Sequence, residues 1–420
     1  MNLFSRNYSV LLSGTFIKAV GTGIYSVAAM LLVLELTNNV FYSGLTFFFI
    51  NIPNIIGFLI APFANYISYK KGLIVCEFLK SILLLSIPLL YMVESLHVFY
   101  VIGIMFLVAM ISQFTYPIES TLVPAFVGEE NVVRANSLMN MLRESLDIVF
   151  LTVAGLVIAF IGNAEVVMIT AVCHGLTGFL YMLFTFKIEH TTLEKATLQS
   201  NVIRYKKDLS EGFQVIWGSH LKKVVVPAIV VNFFTGGLFA ILPAFSLQQG
   251  GSEHYYGYYL AALTFGMLIG SMLTPLLKDI AFGKMIVICF IFSGLCMIGV
   301  GLVPSSIGIV LMAIAFFWIA VVNILIFSLI QSKVEIKLVG RVITVVSSIA
   351  GLCTPLGSLF GGFVGTIELH YPIILAGIAL VIVAIYYYLN KRLRALPKID
   401  EIELLLKKTS TNKEVKVADS

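Results

Sequence analysis

Lys18, Glu77, Lys80, Glu119, Arg143, Glu144 and Asp147 are ionisable side chains set inside otherwise apolar stretches of this chain. In hydrocarbon a charged residue costs about 2.5–3.5 kcal/mol at mid-bilayer on insertion scales, so each of them calls for a partner or a task. All seven lie in the first half of the sequence. At comparable depth the second half offers only neutral groups such as Asn232, Thr235, Trp318, Asn323 and Gln331. A carboxylate held beside cations can gain and release a proton as its surroundings change. If a proton is exchanged, the first half is where it binds.

The densest of these groups is Arg143, Glu144 and Asp147. On a helix Arg143 and Asp147 are four residues apart and share a face, and Glu144, three before Asp147, approaches it from the other side. One negative charge is left over. Lys18 lies about nine residues into the first apolar run and Asp147 about eight into the fifth, at a depth of roughly 12–14 Å, which makes Lys18 the expected counter-ion. Titrations within such a group are coupled, and the group either holds one proton or only locks helices together. Glu77 and Lys80, three apart near the inner end of the third run, read as a structural pair that snorkels to the aqueous boundary. Glu119, between Pro117 and Pro124, reads either as a cap or as a gate. His174 reads as a core residue.

The elements that must position these groups are apolar runs near 9–34, 41–64, 73–93, 97–122, 139–161, 165–186, 222–246, 255–277, 285–303, 307–330, 342–366 and 371–390. At about 20 residues per span, each is long enough to cross a bilayer. Twelve spans follow. Lys70 and Lys71, Arg134, the stretch 187–223, Lys278 and Lys284, and Lys333, Lys337 and Arg341 occupy every second connection, while the alternate turns carry no Lys or Arg. Basic loops stay inside, so both termini are expected in the cytoplasm. Six spans, a polar stretch and six more spans make a duplicated layout: 1–186, a linker over 187–221 with an amphipathic helix around Ile203–Trp217, 222–390, and a tail over 391–420.

Composition excludes a soluble reading, since 59% of the 420 residues are hydrophobic and only 12% charged. The net charge of +5 is explained by topology and anionic inner-leaflet lipid rather than nucleic acid. The first apolar run is too long for a signal-peptide core and is expected to remain as a span. The five cysteines lie in spans with no CxxC spacing, so neither disulfide nor metal site is implied. No P-loop pattern is present, which argues against ATP as the driving force, and no hydrolase or zinc-protease motif supports an enzyme.

The layout, the segment Ala61–Lys70 after the second span, Tyr116-Pro117 with Pro124, the run Glu129, Glu130, Arg134, Ala135, Asn136, and Gly340-Arg341 before the eleventh span together resemble the major facilitator superfamily, in its macrolide-efflux and siderophore-exporter-like branch. Asn65 stands where the family's loop motif has an acid. The resemblance implies an all-α membrane fold of twelve transmembrane helices in two pseudo-symmetric six-helix bundles, in a bacterial cell membrane. It implies alternating access around a cavity lined by spans one, four, seven and ten. Thr22, Tyr25, Ser26, Gln113, Tyr116, Asn232, Thr235, Trp318 and Asn323 become candidate lining residues, and Asn65, Lys70, Lys71, Arg134 and Arg341 candidate gating residues. The expected protein is a monomeric secondary exporter of a mid-sized amphiphile, exchanging it for protons through Asp147, Glu144, Glu119, Lys18 and Arg143, with no cofactor and no metal. A lipid or lysolipid flippase of the same fold is the alternative.

Overall fold

The computed structural model describes residues 4–60, 68–185, 210, 213–214, 216–217, 222–252, 254–277, 279–334, 336–398 and 401. Twelve long α-helices account for most of them. They are α1 Arg6–Thr37, α2 Val40–Ile60, α3 Tyr69–Met92, α4 Val98–Val127, α5 Val132–Ile161, α6 Asn163–Met182, α7 Lys222–Gly250, α8 His254–Leu273, α9 Phe282–Val300, α10 Ser305–Lys333, α11 Ile336–Gly365 and α12 His370–Leu389, followed by a short α13 Lys391–Arg394. Among the described residues ten stretches are long and apolar enough to span a bilayer, and α2 adds a shorter apolar stretch, Val40–Ile55. The remaining long helix is α5, which carries Arg134, Arg143, Glu144 and Asp147. At 30 residues it is long enough to cross a bilayer, and its second half, from Ile148 to Ile161, is uncharged.

α3 shows how such a sequence folds inside out. Val75, Leu79, Ile82, Leu89 and Met92 recur at helical spacing and are exposed, while the opposite face buries Leu73, Glu77, Lys80, Leu84 and Ile87. A helix with charges turned inward and apolar residues outward suits hydrocarbon as its solvent. Helix ends use ordinary devices. Ser5 caps α1 by accepting from the Tyr8 amide, and Asn38 ends that helix in the left-handed conformation.

The chain divides into two compact units, Met1–Ile203 with Ala240–Ala261, and Arg204–Phe239 with Ala262–Ser420. In the first unit α1 packs on α5 and α6, α2 on α4, and α3 on α6. In the second, α9 packs on α10 and α12. Glycines set the closest crossings there. A Cβ at Gly357 of α11 would overlap the Phe233 carbonyl of α7, one at Gly361 would overlap Gly237, and one at Gly266 of α8 would overlap the Ala313 carbonyl of α10. The α7–α11, α8–α10 and α9–α12 pairs therefore repeat the α1–α5, α2–α4 and α3–α6 pairs, as a duplicated sequence should.

Candidate functional site

A buried ionic network lies in the first unit, built from α1, α3, α4, α5 and α6. Its centre is Glu119 on α4, 1% exposed. Oε1 of that carboxylate accepts from Lys18 Nζ of α1 and from the Tyr181 hydroxyl of α6 (3.0 Å), and Oε2 accepts from Arg143 Nη2 of α5 (2.8 Å). One acid thus ties four helices together. Arg143 also lies over the Tyr116 ring, 5.1 Å from its centroid, a contact worth about 0.5–2 kcal/mol according to how dry it is.

Local sequence explains how these groups meet. Gly14 leaves room for the Tyr181 ring, whose hydroxyl then reaches Glu119; a Cβ there would overlap that ring. Gly21 lets α6 approach α1, where Thr170 Oγ1 donates to the Gly21 carbonyl at 3.0 Å. Thr170, His174, Thr177 and Tyr181 recur at four, three and four residues, so one polar edge of α6 faces inward.

A second carboxylate, Glu77 on α3, is fully buried. Its Oε1 accepts from Lys80 Nζ at 2.7 Å, and its Oε2 lies 2.6 Å from His174 Nδ1. A carboxylate can only accept, so the ring proton sits on Nδ1. Nε2 of the same ring is buried with no hydrogen-bond partner among the described residues. Lys80 is 1% exposed and turns onto Glu77 instead of reaching the aqueous boundary, because α6 covers that face of α3. Among the described residues, Lys18, Lys80 and Arg143 face Glu77 and Glu119, which leaves one positive charge over.

The expected Arg143, Glu144 and Asp147 group keeps its place on α5, with Arg143 turned to Glu119. The side chains of Glu144 and Asp147 lie outside the described residues, among which Lys18 donates to Glu119. Charge counting passed over Tyr181, and His174, expected as a core residue, is buried against Glu77. The signal that finds Tyr181 is its spacing with Thr170, His174 and Thr177 on one edge of α6.

The candidate lining residues divide between the units. Thr22 Oγ1 donates to the Lys18 carbonyl one turn below (3.0 Å), and Tyr25 and Ser26 continue α1 half-buried. Gln113 Nε2 donates to Asn54 Oδ1 of α2 at 2.9 Å, and Tyr116 is exposed beneath Arg143. In the second unit Asn232 donates to the Ala228 carbonyl of its own helix, Thr235 is half-buried and Asn323 exposed. Trp318 stacks on Phe292 of α9 with ring centroids 5.7 Å apart. Of the candidate gating residues, Lys70 donates to the Phe184 carbonyl at 2.6 Å, while Lys71 and Arg134 are exposed. Asn65 and the Arg341 side chain lie outside the described residues.

The family model described as "Transmembrane secretion effector" matches residues 3–418. The chain is 25% identical over 424 residues to the uncharacterized MFS-type transporter YkuC of Bacillus subtilis (strain 168), across 95% of this chain and 94% of that protein. In fold it is similar to the crystal structure of the nucleoside transporter NupG, with a TM-score of 0.71 at 11% identity over 92% of this chain and 98% of that one. It is also similar to a bacterial homolog of the human lysosomal transporter Spinster in an inward-facing and occupied conformation, with a TM-score of 0.66 at 14% identity over 92% and 96% of the two chains. At such identities these two share the fold alone.

Proposed function

We propose that this chain, which belongs to the transmembrane secretion effector family of major facilitator transporters, exports a mid-sized amphiphilic molecule in exchange for protons. The observation that carries the reading is Glu119, a buried carboxylate receiving Lys18, Arg143 and Tyr181 from three other helices. Burying an ion costs several kcal/mol, offset only while its partners stay in place. When Glu119 takes a proton, the attraction to Lys18 and Arg143 is lost and the helices are free to part. When it releases the proton, they are drawn back. Proton occupancy and helix arrangement are then one linked equilibrium, which is what exchange requires.

Asp147 and Glu144, within a turn of Arg143 on α5, are the further acids of this coupling group. Tyr25, Tyr116 and Trp318 offer aromatic faces, and Thr22, Ser26, Gln113, Asn232, Thr235 and Asn323 offer hydrogen bonds, a mixture suited to an amphiphile. Asn65, Lys70, Lys71, Arg134 and Arg341 are assigned to the inner gate. The outward direction is supported by the family's description as a secretion effector.

Uptake into everted vesicles tests the reading, with a panel of macrolides, cationic dyes, siderophores and lysolipids under an imposed pH gradient. At least one compound should accumulate against its own gradient and stop when a protonophore is added. Accumulation that ignores the pH gradient would contradict proton exchange, and accumulation of lysolipids alone would replace the amphiphile reading with lipid movement.

A further inference from the structure

A cavity of about 470 Å³ lies in the second unit. Its wall is Trp217 of the linker segment, Lys222, Lys223 and Val230 of α7, and Ile382 and Tyr386 of α12. The size is that of a small-molecule site. The wall is graded. Lys222 and Lys223 open α7, whereas Val230 lies eight residues further in, at about 1.5 Å per residue some 12 Å deeper along the helix axis. A ligand that fits this wall carries an anionic group at one end and an apolar chain at the other.

The surroundings choose among such ligands. Ile382 is 59% exposed, and Tyr386 and Trp217 are about two-fifths exposed, so the cavity is open along the outer face of α12 where acyl chains lie. Aromatic rings at this level are typical of the membrane–water interface. Phe213 stacks on Trp217 at 4.4 Å, and Ile216 is buried in the core with Phe282 and Tyr387, which fixes this part of the linker against the unit. Beyond α12, Lys391 and Arg394 are exposed at the same end, with Arg394 over the Tyr388 ring at 5.0 Å. A basic collar above an apolar, laterally open slot marks the inner leaflet, by the same positive-inside bias that orients the chain.

We propose that this cavity is a binding site for an anionic phospholipid of the inner leaflet, its phosphate held by Lys222 and Lys223 and one acyl chain lying between Val230 and Ile382. A lipid held there would join the linker to α7 and α12.

The chain's tryptophans are Trp217 and Trp318, so Trp318→Phe leaves Trp217 as the single reporter. The full chain carrying this change is placed in nanodiscs of phosphatidylcholine containing increasing fractions of phosphatidylglycerol with brominated acyl chains, which quench tryptophan on contact. Brominated phosphatidylcholine at the same fractions is the comparison. Half-maximal quenching should require at least about fivefold less phosphatidylglycerol than phosphatidylcholine, as expected for one or more phosphate-binding lysines. Lys222→Gln with Lys223→Gln should abolish that preference while leaving quenching by phosphatidylcholine in place, which also reports that the protein is folded. Val230→Phe, which fills the slot, should weaken quenching by phosphatidylglycerol with the lysines intact. Equal quenching by the two lipids, or a preference that survives the double lysine change, overturns the proposal. So does loss of the preference on adding inorganic phosphate at physiological concentration, which would make the site one for a free anion.

Discussion

Glu119 and its partners act as a unit, and their energetics should show it. Lys18→Ala leaves Glu119 with one cation fewer, and Glu119→Gln leaves Lys18 without the carboxylate that receives it. Breaking a buried pair in this way typically costs about 3–5 kcal/mol, because one charge stays behind uncompensated. The double change Lys18→Ala with Glu119→Gln should therefore be less damaging than the sum of the singles by about 1–3 kcal/mol, read as thermal or denaturant stability of the purified protein. Strict additivity would mean that the two side chains do not sense each other. Tyr181→Phe should be milder, losing one hydrogen bond to a charged acceptor worth about 1.5–3 kcal/mol. Gly14→Ala should be harsher than Tyr181→Phe, since the new methyl displaces the whole Tyr181 ring from Glu119. The ionisable members of this cluster are legible in the sequence by cost alone, because charges in apolar runs stand out. Their pairing is not. Depth arithmetic ranks Lys18 and Asp147 together, but depth along a helix does not show that Glu119 of α4 lies beside Lys18. It is the packing of α4 against α1 that brings Glu119 to Lys18.

Helix pairs carry the second set of consequences. Gly357 and Gly361 of α11 sit against the backbone of α7, whereas Gly351 on the same helix has nothing within 4 Å of where a Cβ would stand. Gly351→Ala should be neutral or stabilising by up to about 1 kcal/mol, as glycine in a helix interior is replaced by the best helix former. Gly357→Ala should destabilise by about 1–3 kcal/mol, since the Phe233 carbonyl and the whole α7 must give way. Melting temperatures of the two variants decide the matter, and equal shifts would mean that α7 and α11 are not in backbone contact. Hydropathy marks the helices well. It sees α3 as a span and cannot see that Glu77 and Lys80 turn inward to His174 rather than outward. That outcome depends on α6 covering the face, a tertiary fact with no local signature. α5 carries Arg143 to Glu119 on a helix whose outer half is uncharged.

For the whole molecule, the duplicated pairing of α1–α5 with α7–α11, and of α3–α6 with α9–α12, gives two units built alike and chemically unequal. Among the described residues the buried charges are in the first, and the graded apolar slot is in the second. The orientation expected from the basic connections is testable in a cysteine-free background. Cysteine at Ser95 or Ser252 should react with an impermeant thiol reagent added outside, and cysteine at Lys71 or Lys284 only after permeabilisation. External labelling at Lys284 would invert the second half. If, as proposed, proton binding at the Glu119 network drives transport, the most direct test is to compare two modes of the same carrier in vesicles. Glu119→Gln keeps the side chain's size and removes its titration, so it should fail to accumulate substrate under a pH gradient while still exchanging substrate for substrate across the membrane, with Asp147→Asn measured alongside. Accumulation by Glu119→Gln at the wild-type rate and with the wild-type dependence on the pH gradient would contradict the claim.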